Sequence, residues 1–236
     1  MIRFATKNEI TVWDTYVARN PGGGHIFQTS EYGLFKQISG WEPLFLFVDN
    51  VAVMVIQKRV PLLGLLWYVP KGPGAASSKQ IVELISQLST IAMNRRVFVI
   101  KIDPEIEYSK KEETKLLKKG FSRVSLIQPN QSTVILDISE PENEIIASFN
   151  QKTRNAIRRA EREGITVKAV KSTTKNCGIM YRQYQATAVG RWRVRNFTYY
   201  LTFWQSFERS GQGQMFFAYN GTEVVASAYV LFFDGL

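Results

Sequence analysis

The spacing of apolar positions changes period several times along the chain, and each change marks an element. Residues 10–19 carry apolar side chains at helical spacing and predict a short helix. Gln28-Thr-Ser-Glu31 then supplies the N-cap candidates Thr29 and Ser30. They stand ahead of Tyr32, Phe35 and Ile38 on one helical face, and Gly40 stops the helix. Two apolar runs, residues 44–48 and 51–57, are split by Asp49-Asn50 and predict a β-hairpin. Residues 65–69 read as another strand. Ile81, Leu84, Ile85, Leu88, Ile91 and Ala92 form a helical stripe, and residues 96–102 return as a buried strand ending at Asp103-Pro104. A charged helix over residues 110–119 ends at Gly120, and residues 133–138 predict one more strand.

Ser139-Glu-Pro-Glu-Asn143 is a polar break that divides the chain into residues 1–140 and 141–236. Beyond it the pattern predicts a helix over 143–163, a strand over 165–170, helices over 176–188 and 197–210, and strands over 215–219 and 223–232. Both parts mix helices and strands, so the fold class is α/β (α+β). The last strand runs into Phe232-Phe-Asp-Gly-Leu236 with no helix to cover it, so the second domain is expected to be incomplete.

Composition narrows the function classes. At 45% apolar and 13% aromatic residues, the chain has ample material for packed cores. A single cysteine, Cys177, excludes an intrachain disulfide and a cysteine-rich metal site, and suits the cytoplasm. The one histidine, His25, follows Gly22-Gly-Gly24 and reads as an ordinary loop residue. No signal peptide is apparent, and the apolar run Val60-Pro-Leu-Leu-Gly-Leu-Leu-Trp-Tyr-Val-Pro70 is too short to span a bilayer. Its basic flanks, Lys58, Arg59 and Lys71, leave peripheral contact with an anionic inner leaflet open.

The net charge is +10, and all of it lies between Asn150 and Arg195, where twelve Lys/Arg face only Glu161 and Glu163. Such a local surplus points to phosphate. In the helix after Asn150, the residues Phe149, Thr153, Ala156, Ile157 and Ala160 share a face expected to pack inward. Arg154, Arg158 and Arg162 recur every four residues as a second, cationic stripe which, with Lys152, is a candidate for RNA or phosphate. Arg191-Trp-Arg-Val-Arg195 adds three guanidiniums around an aromatic. Arg195 and Tyr199, four apart, are expected to share a helix face and to suit a phosphate or a sugar hydroxyl. Tyr68-Val-Pro-Lys-Gly-Pro-Gly74 is a rigid turn with Lys71 at the tip of a strand. There is no metal-ligand set, phosphate loop or dinucleotide glycine signature.

Several segments, in order, resemble the FemABX family, the peptidyltransferases that build peptidoglycan cross-bridges. Phe27-Gln-Thr-Ser-Glu-Tyr-Gly-Leu-Phe-Lys36 through Gly40-Trp41 is similar to the family's early helix, and Tyr68-Val-Pro-Lys-Gly-Pro73 to its Y-x-P-[KR]-G-P turn. Ile102-Asp-Pro-Glu-Ile106, Gly120-Phe121, Gln128-Pro129 and Thr133-Val-Ile-Leu-Asp137 follow. Lys152-x-Arg154-x-x-Ile157-Arg158-x-Ala160 with Gly164 resembles the family's most recognisable helix. Together they cover nearly the whole chain.

The resemblance implies two GNAT-like (acyl-CoA N-acyltransferase-like) domains, the second truncated, with a cleft between them. It implies an aminoacyl-tRNA donor and a UDP- or lipid-linked muropeptide acceptor, with no metal and no cofactor. By the same resemblance Lys36 and an arginine–tyrosine pair hold the acceptor's diphosphate and sugar. Arg195 and Tyr199 fit the spacing, and Arg191 and Arg193 compete for the role. Tyr68 and Lys71 join them as substrate-binding candidates. No general base is assigned: the aminoacyl ester is already activated, so alignment of two substrates and stabilisation of an oxyanion suffice. The alternatives are a GNAT-type small-molecule N-acyltransferase, whose R/Q-x-x-G-x-G/A pyrophosphate loop is not found, and a non-catalytic RNA-binding module.

Overall fold

The computed structural model describes residues 1–125 and 133–233. Gln128 and Pro129, two of the family-like residues, and the final Asp234-Gly-Leu236 lie outside the described residues.

The first sheet has five strands in the order β1-β2-β3-β4-β5: β1 (Ile2–Phe4), β2 (Glu42–Val48), β3 (Val51–Val60), β4 (Gly64–Val69) and β5 (Val97–Ile102). The first four run antiparallel in sequence. β5 is parallel to β4, and the crossover between them is helix α4 (Ser78–Asn94). β3 is buried without a break from Val51 to Gln57, because both faces of the sheet are covered. On one face Val51, Val53 and Val55 pack with Leu44, Leu46 and Val48 under the α4 stripe of Ile81, Leu84 and Leu88. On the other, Ala52, Met54 and Ile56 pack with Phe45 and Phe47 beneath Trp13, Val17, Tyr32 and Phe35.

Those last four residues belong to α2 (Trp13–Ala18) and α3 (Ser30–Lys36). The segment read as one helix over 10–19 is two, α1 (Lys7–Thr11) and α2. A capping box at Thr6 and Glu9 starts α1, and Val12 leaves helical geometry between them. Two buried amides pin the connecting loop to the sheet. Asn20 Nδ2 donates to Ala52 O at 2.9 Å while its Oδ1 accepts from Ala52 N at 2.9 Å. Gln28 Nε2 donates to Pro70 O at 2.7 Å and to Met54 O at 3.1 Å, while its Oε1 accepts from Met54 N at 2.9 Å. These two side chains do the work of an extra strand where the chain is irregular.

Helix α5 (Lys110–Lys118) ends at Gly120, whose φ of 88° suits glycine. Among the described residues the strand predicted over 133–138 is not seen, and Val134 and Ile135 are each 91% exposed. The helix predicted over 143–163 is likewise two, α6 (Glu142–Ser148) and α7 (Gln151–Arg162). Phe149 turns extended, with ψ 152°, and Asn150 caps α7 by accepting from Thr153 N at 2.9 Å.

The second sheet has the order β6-β7-β8, formed by β6 (Ile165–Val170), β7 (Gly213–Asn220) and β8 (Glu223–Leu231), all antiparallel. Helices α8 (Thr174–Ala188) and α9 (Phe197–Arg209) cover one face, burying Cys177, Trp204, Met215 and Phe217. The inward packing expected of α7 is not seen: none of its residues is buried, and Ile157 and Ala160 are only half-covered. β6 is its main neighbour, and most of that strand is exposed as well.

The two sheets are joined through helices. Phe207 of α9 and Phe233 are buried in the same core as Trp13 and Phe35 of the first half. Gln212 Nε2 donates to Asp14 Oδ2 at 2.8 Å. Phe233 lies so close to Gly24 that a Cβ there would come within 2.5 Å of its ring, which is one reason the Gly22-Gly-Gly24 loop carries no side chains.

A cationic and aromatic cluster as the candidate functional site

Helix α3 begins where Thr29 Oγ1 accepts from Tyr32 N at 3.3 Å, and Asp14 Oδ1 accepts from Ser30 N at 2.8 Å. Its single stripe of Tyr32 and Phe35 packs on β2 and β3, which leaves Lys36 at the C-terminal end. A cation is favoured there by the helix dipole. A short 3₁₀ turn over Gln37–Ser39 and Gly40, at φ 71°, then reverse the chain into β2. Lys36 is thereby held inside the fold, only 9% exposed.

Two aromatic faces and two cations surround it. Lys36 Nζ lies 5.7 Å from the Tyr32 ring centroid and 5.9 Å from that of Tyr199, within cation–π range. The guanidinium of Arg195 stacks on Tyr199 at 4.6 Å. Lys58 of β3 stands over Trp41 at 5.5 Å and donates to Ser39 O at 3.1 Å. Burial pushes the Lys36 ammonium down to about 8, and the charges of Arg195 and Lys58 push it the same way. Burial also raises the Tyr199 hydroxyl, against the pull of Arg195. No ion pair among the described residues includes Lys36, Lys58 or Arg195. A buried, unpaired ammonium with two further unpaired cations beside it is costly to fold. An anion relieves that cost by supplying the missing countercharge.

Arg195 and Tyr199 do not share a helix face as their spacing suggests. α9 starts at Phe197, after Asn196, which caps it by accepting from Tyr199 N at 3.0 Å. Arg195 precedes the helix and folds back over the ring. Its carbonyl accepts from Tyr181 Oη at 2.8 Å, which fixes the backbone. Phe35 packs edge-on against Tyr199 and Phe203, at 4.9 and 5.1 Å, and so brings α3 and α9 together across more than 160 residues of sequence.

The other sequence candidates fall elsewhere. Arg191 and Arg193 are exposed in the α8–α9 loop, where Trp192 Nε1 donates to Tyr184 Oη at 3.1 Å. Tyr68 is buried behind Trp41, with ring centroids 6.4 Å apart, and donates to Asp103 Oδ2 at 3.3 Å. Lys71, at φ 49°, pairs with Glu105 at 3.2 Å. Glu105 also faces His25 Nε2 at 3.7 Å. His25 Nδ1 accepts from Phe27 N at 2.9 Å, and burial depresses its basicity, so it caps a 3₁₀ turn as a neutral ring. On α7, Arg154 donates to Ala147 O at 3.2 Å and also to Phe149 O, closing the end of α6. Lys152, Arg158 and Arg162 are exposed and belong to no ion pair among the described residues. Lys58, Trp41 and Tyr32 were not sequence candidates for the site. Lys58 had registered only as a basic flank of the apolar run, and the signal that could have raised it is its place on β3 next to the Gly40-Trp41 reversal.

No group of three or more metal-ligating side chains occurs among the described residues. The arrangement is a cluster of cations flanked by aromatic rings, on a two-sheet α/β scaffold. The FemAB family profile matches residues 9–128, half of the chain, and the chain belongs to that family. It is 26% identical over 223 residues to the lipid II:glycine glycyltransferase of Staphylococcus epidermidis, covering 86% of this chain and 52% of that protein. To the enzyme of the same name from Staphylococcus aureus it is 27% identical over 173 residues, covering 65% of this chain and 40% of that protein. The chain thus spans about half the length of the curated relatives it matches. The crystal structure of FemX superposes with a TM-score of 0.71 at 19% identity, covering 92% of this chain and 57% of that one, and so shares the fold.

Proposed function

We propose that the chain takes part in aminoacyl transfer onto a peptidoglycan precursor, with the Lys36–Arg195–Tyr199 cluster holding the acceptor. The observation that carries this reading is the buried Lys36 with Arg195 and Lys58 beside it and, among the described residues, no carboxylate paired to any of the three. A sugar-linked diphosphate supplies two or more negative charges to three cations, and its sugar can lie against Tyr199 and Trp41. The staphylococcal relatives are named for lipid II, which supports this reading.

On this reading the donor is an aminoacyl-tRNA. An amine of the acceptor's stem peptide attacks the ester carbonyl, an amide bond forms, the ester C–O bond breaks, and the amine's proton leaves with the released ribose hydroxyl. Lys152, Arg158 and Arg162 of α7 contact the donor's phosphates. The chain is taken as two GNAT-like units, residues 1–140 and 141–236, meeting at the Lys36 cluster. It works in the cytoplasm, where charged tRNA is found. No helix among the described residues is long and apolar enough to cross a membrane.

Titration calorimetry with UDP-muramoyl-pentapeptide tests the acceptor site. Binding that is lost in Lys36→Met and in Arg195→Gln is the expected result. Wild-type failure to bind, or unchanged binding in both variants, removes the reading. Mass spectrometry of that acceptor after incubation with charged tRNAs tests the transfer itself and identifies the amino acid added.

A further inference from the structure

The β3–β4 hairpin ends in a turn whose sequence contradicts its geometry. Leu63 N donates to Val60 O at 3.2 Å, which closes the four residues Val60-Pro-Leu-Leu63. Proline occupies the second position. Leu62 occupies the third with φ 67°, the value of a type II turn, where glycine is ordinarily found. A branched apolar side chain stands there instead, wholly exposed, and the adjoining Leu63 is 61% exposed. Neither leucine belongs to a core cluster, so the fold itself gains nothing from them.

The surroundings of this tip are apolar and cationic. Leu65 N donates to Arg96 O at 3.3 Å, which ties the hairpin to the turn between α4 and β5. The end of α4 adds Met93, the turn adds Arg96 and β5 adds Phe98; Met93 is 70% and Phe98 45% exposed. Arg59 is the register partner of Leu65. Arg59 and Arg96 are exposed and enter no ion pair among the described residues. Leucines that protrude from a tight turn between unpaired arginines match a bilayer surface with anionic headgroups: the side chains enter the acyl boundary and the guanidiniums stay at the phosphates. A protein partner would be expected to leave a broader, flatter apolar patch.

We propose that the Pro61-Leu62-Leu63 tip, with Arg59 and Arg96, is a membrane-docking surface for anionic phospholipid. Leu62 is four residues beyond Lys58, a member of the cation cluster, so the backbones of these two residues lie roughly 13 Å or less apart. Docking at the tip thus holds the site within reach of the headgroup layer, where the diphosphate of a lipid-linked acceptor lies. This last consequence rests on the acceptor reading above; the docking surface does not.

Cosedimentation of the full chain with vesicles of phosphatidylcholine, with and without about one-third phosphatidylglycerol, tests the surface. Wild type is expected to bind only the anionic vesicles and to release as salt is raised. The variant Leu62→Gly with Leu63→Ser suits the turn better and so keeps the fold. It is expected to lose about tenfold or more of the vesicle affinity, with a melting temperature no lower than wild type. Arg59→Gln with Arg96→Gln is expected to abolish the preference for phosphatidylglycerol. The proposal is overturned by wild type that ignores vesicles, by a leucine variant that binds them equally, or by light scattering that shows the leucines holding a dimer. Nucleotide-diphosphate binding measured in parallel separates the two readings: vesicle binding without it removes the acceptor site and leaves the docking surface standing.

Discussion

Lys36 combines burial with charge at a position where either alone would be unremarkable. Its amine titrates near 8 rather than 10.5 because burial, first, and then Arg195 and Lys58 disfavour the ammonium. The folded state therefore binds fewer protons than the unfolded state between those values. Stability is lowest below pH 8 and rises as the pH climbs toward 10.5, the cost of the charged form being on the order of 3 kcal/mol. Lys36→Met removes that cost, so denaturant melts at pH 7 should show a more stable protein that no longer binds a nucleotide diphosphate. In wild type, diphosphate affinity should fall as pH is raised through about 8, where Lys36 loses its proton. Lys58→Met removes one of the opposing charges and should move that midpoint upward, as read by NMR of the lysine Cε. Gln28 is the structural counterpart. Its amide meets Met54 and Pro70 from inside the core, so Gln28→Leu strands three backbone groups and should cost about 3 kcal/mol or more.

At the scale of elements, α7 shows how an amphipathic pattern divides its roles. Asn150 starts the helix and Arg154 folds back onto the carbonyls of Ala147 and Phe149, so one member of the arginine stripe serves the α6–α7 junction. The rest of the cationic face is free of ion pairs among the described residues. Replacing Lys152, Arg158 and Arg162 together by glutamine should leave the melting temperature nearly unchanged. The same change should lower the slope of log affinity for RNA against log salt by about 2–3, as three phosphate contacts would require. Arg154→Gln should do the reverse: about 1 kcal/mol of stability lost, by thermal melts, with a smaller effect on the salt slope.

For the molecule as a whole, the site exists because α9 of the second half packs into the core of the first. Phe207 is fully buried there, and Phe35 clasps Tyr199 and Phe203. Phe207→Ala should cost about 3–5 kcal/mol in chemical denaturation. It should also weaken diphosphate binding though it touches none of the three cations, because it loosens the helix that carries Tyr199.

Much of this was legible in the chain. The strand and helix order of the first half and the stop at Gly40 follow from period, capping and turn chemistry, which are local, whereas Lys36 was singled out by the family resemblance. Local reasoning failed where pairing or capping competes with pattern. Residues 133–138 have the apolar content of a strand but form none among the described residues. Residues 143–163 have the periodicity of one helix, but Asn150 caps a second. Spacing and resemblance favoured Arg195 and Tyr199, with Arg191 and Arg193 competing for the role. The tertiary structure sets Arg195, though exposed, over Tyr199 just before the Asn196 cap and beside Lys36, while Arg191 and Arg193 stand in the α8–α9 loop. Lys58 and Trp41 joined the site for the same reason: a hairpin, a reversal at Gly40 and a helix from the far half converge on one buried amine. The sequence by itself determined most of the elements and where the charge is concentrated, since both depend largely on near neighbours. Which charges face one another depends on contacts across more than 160 residues, and packing alone decided that.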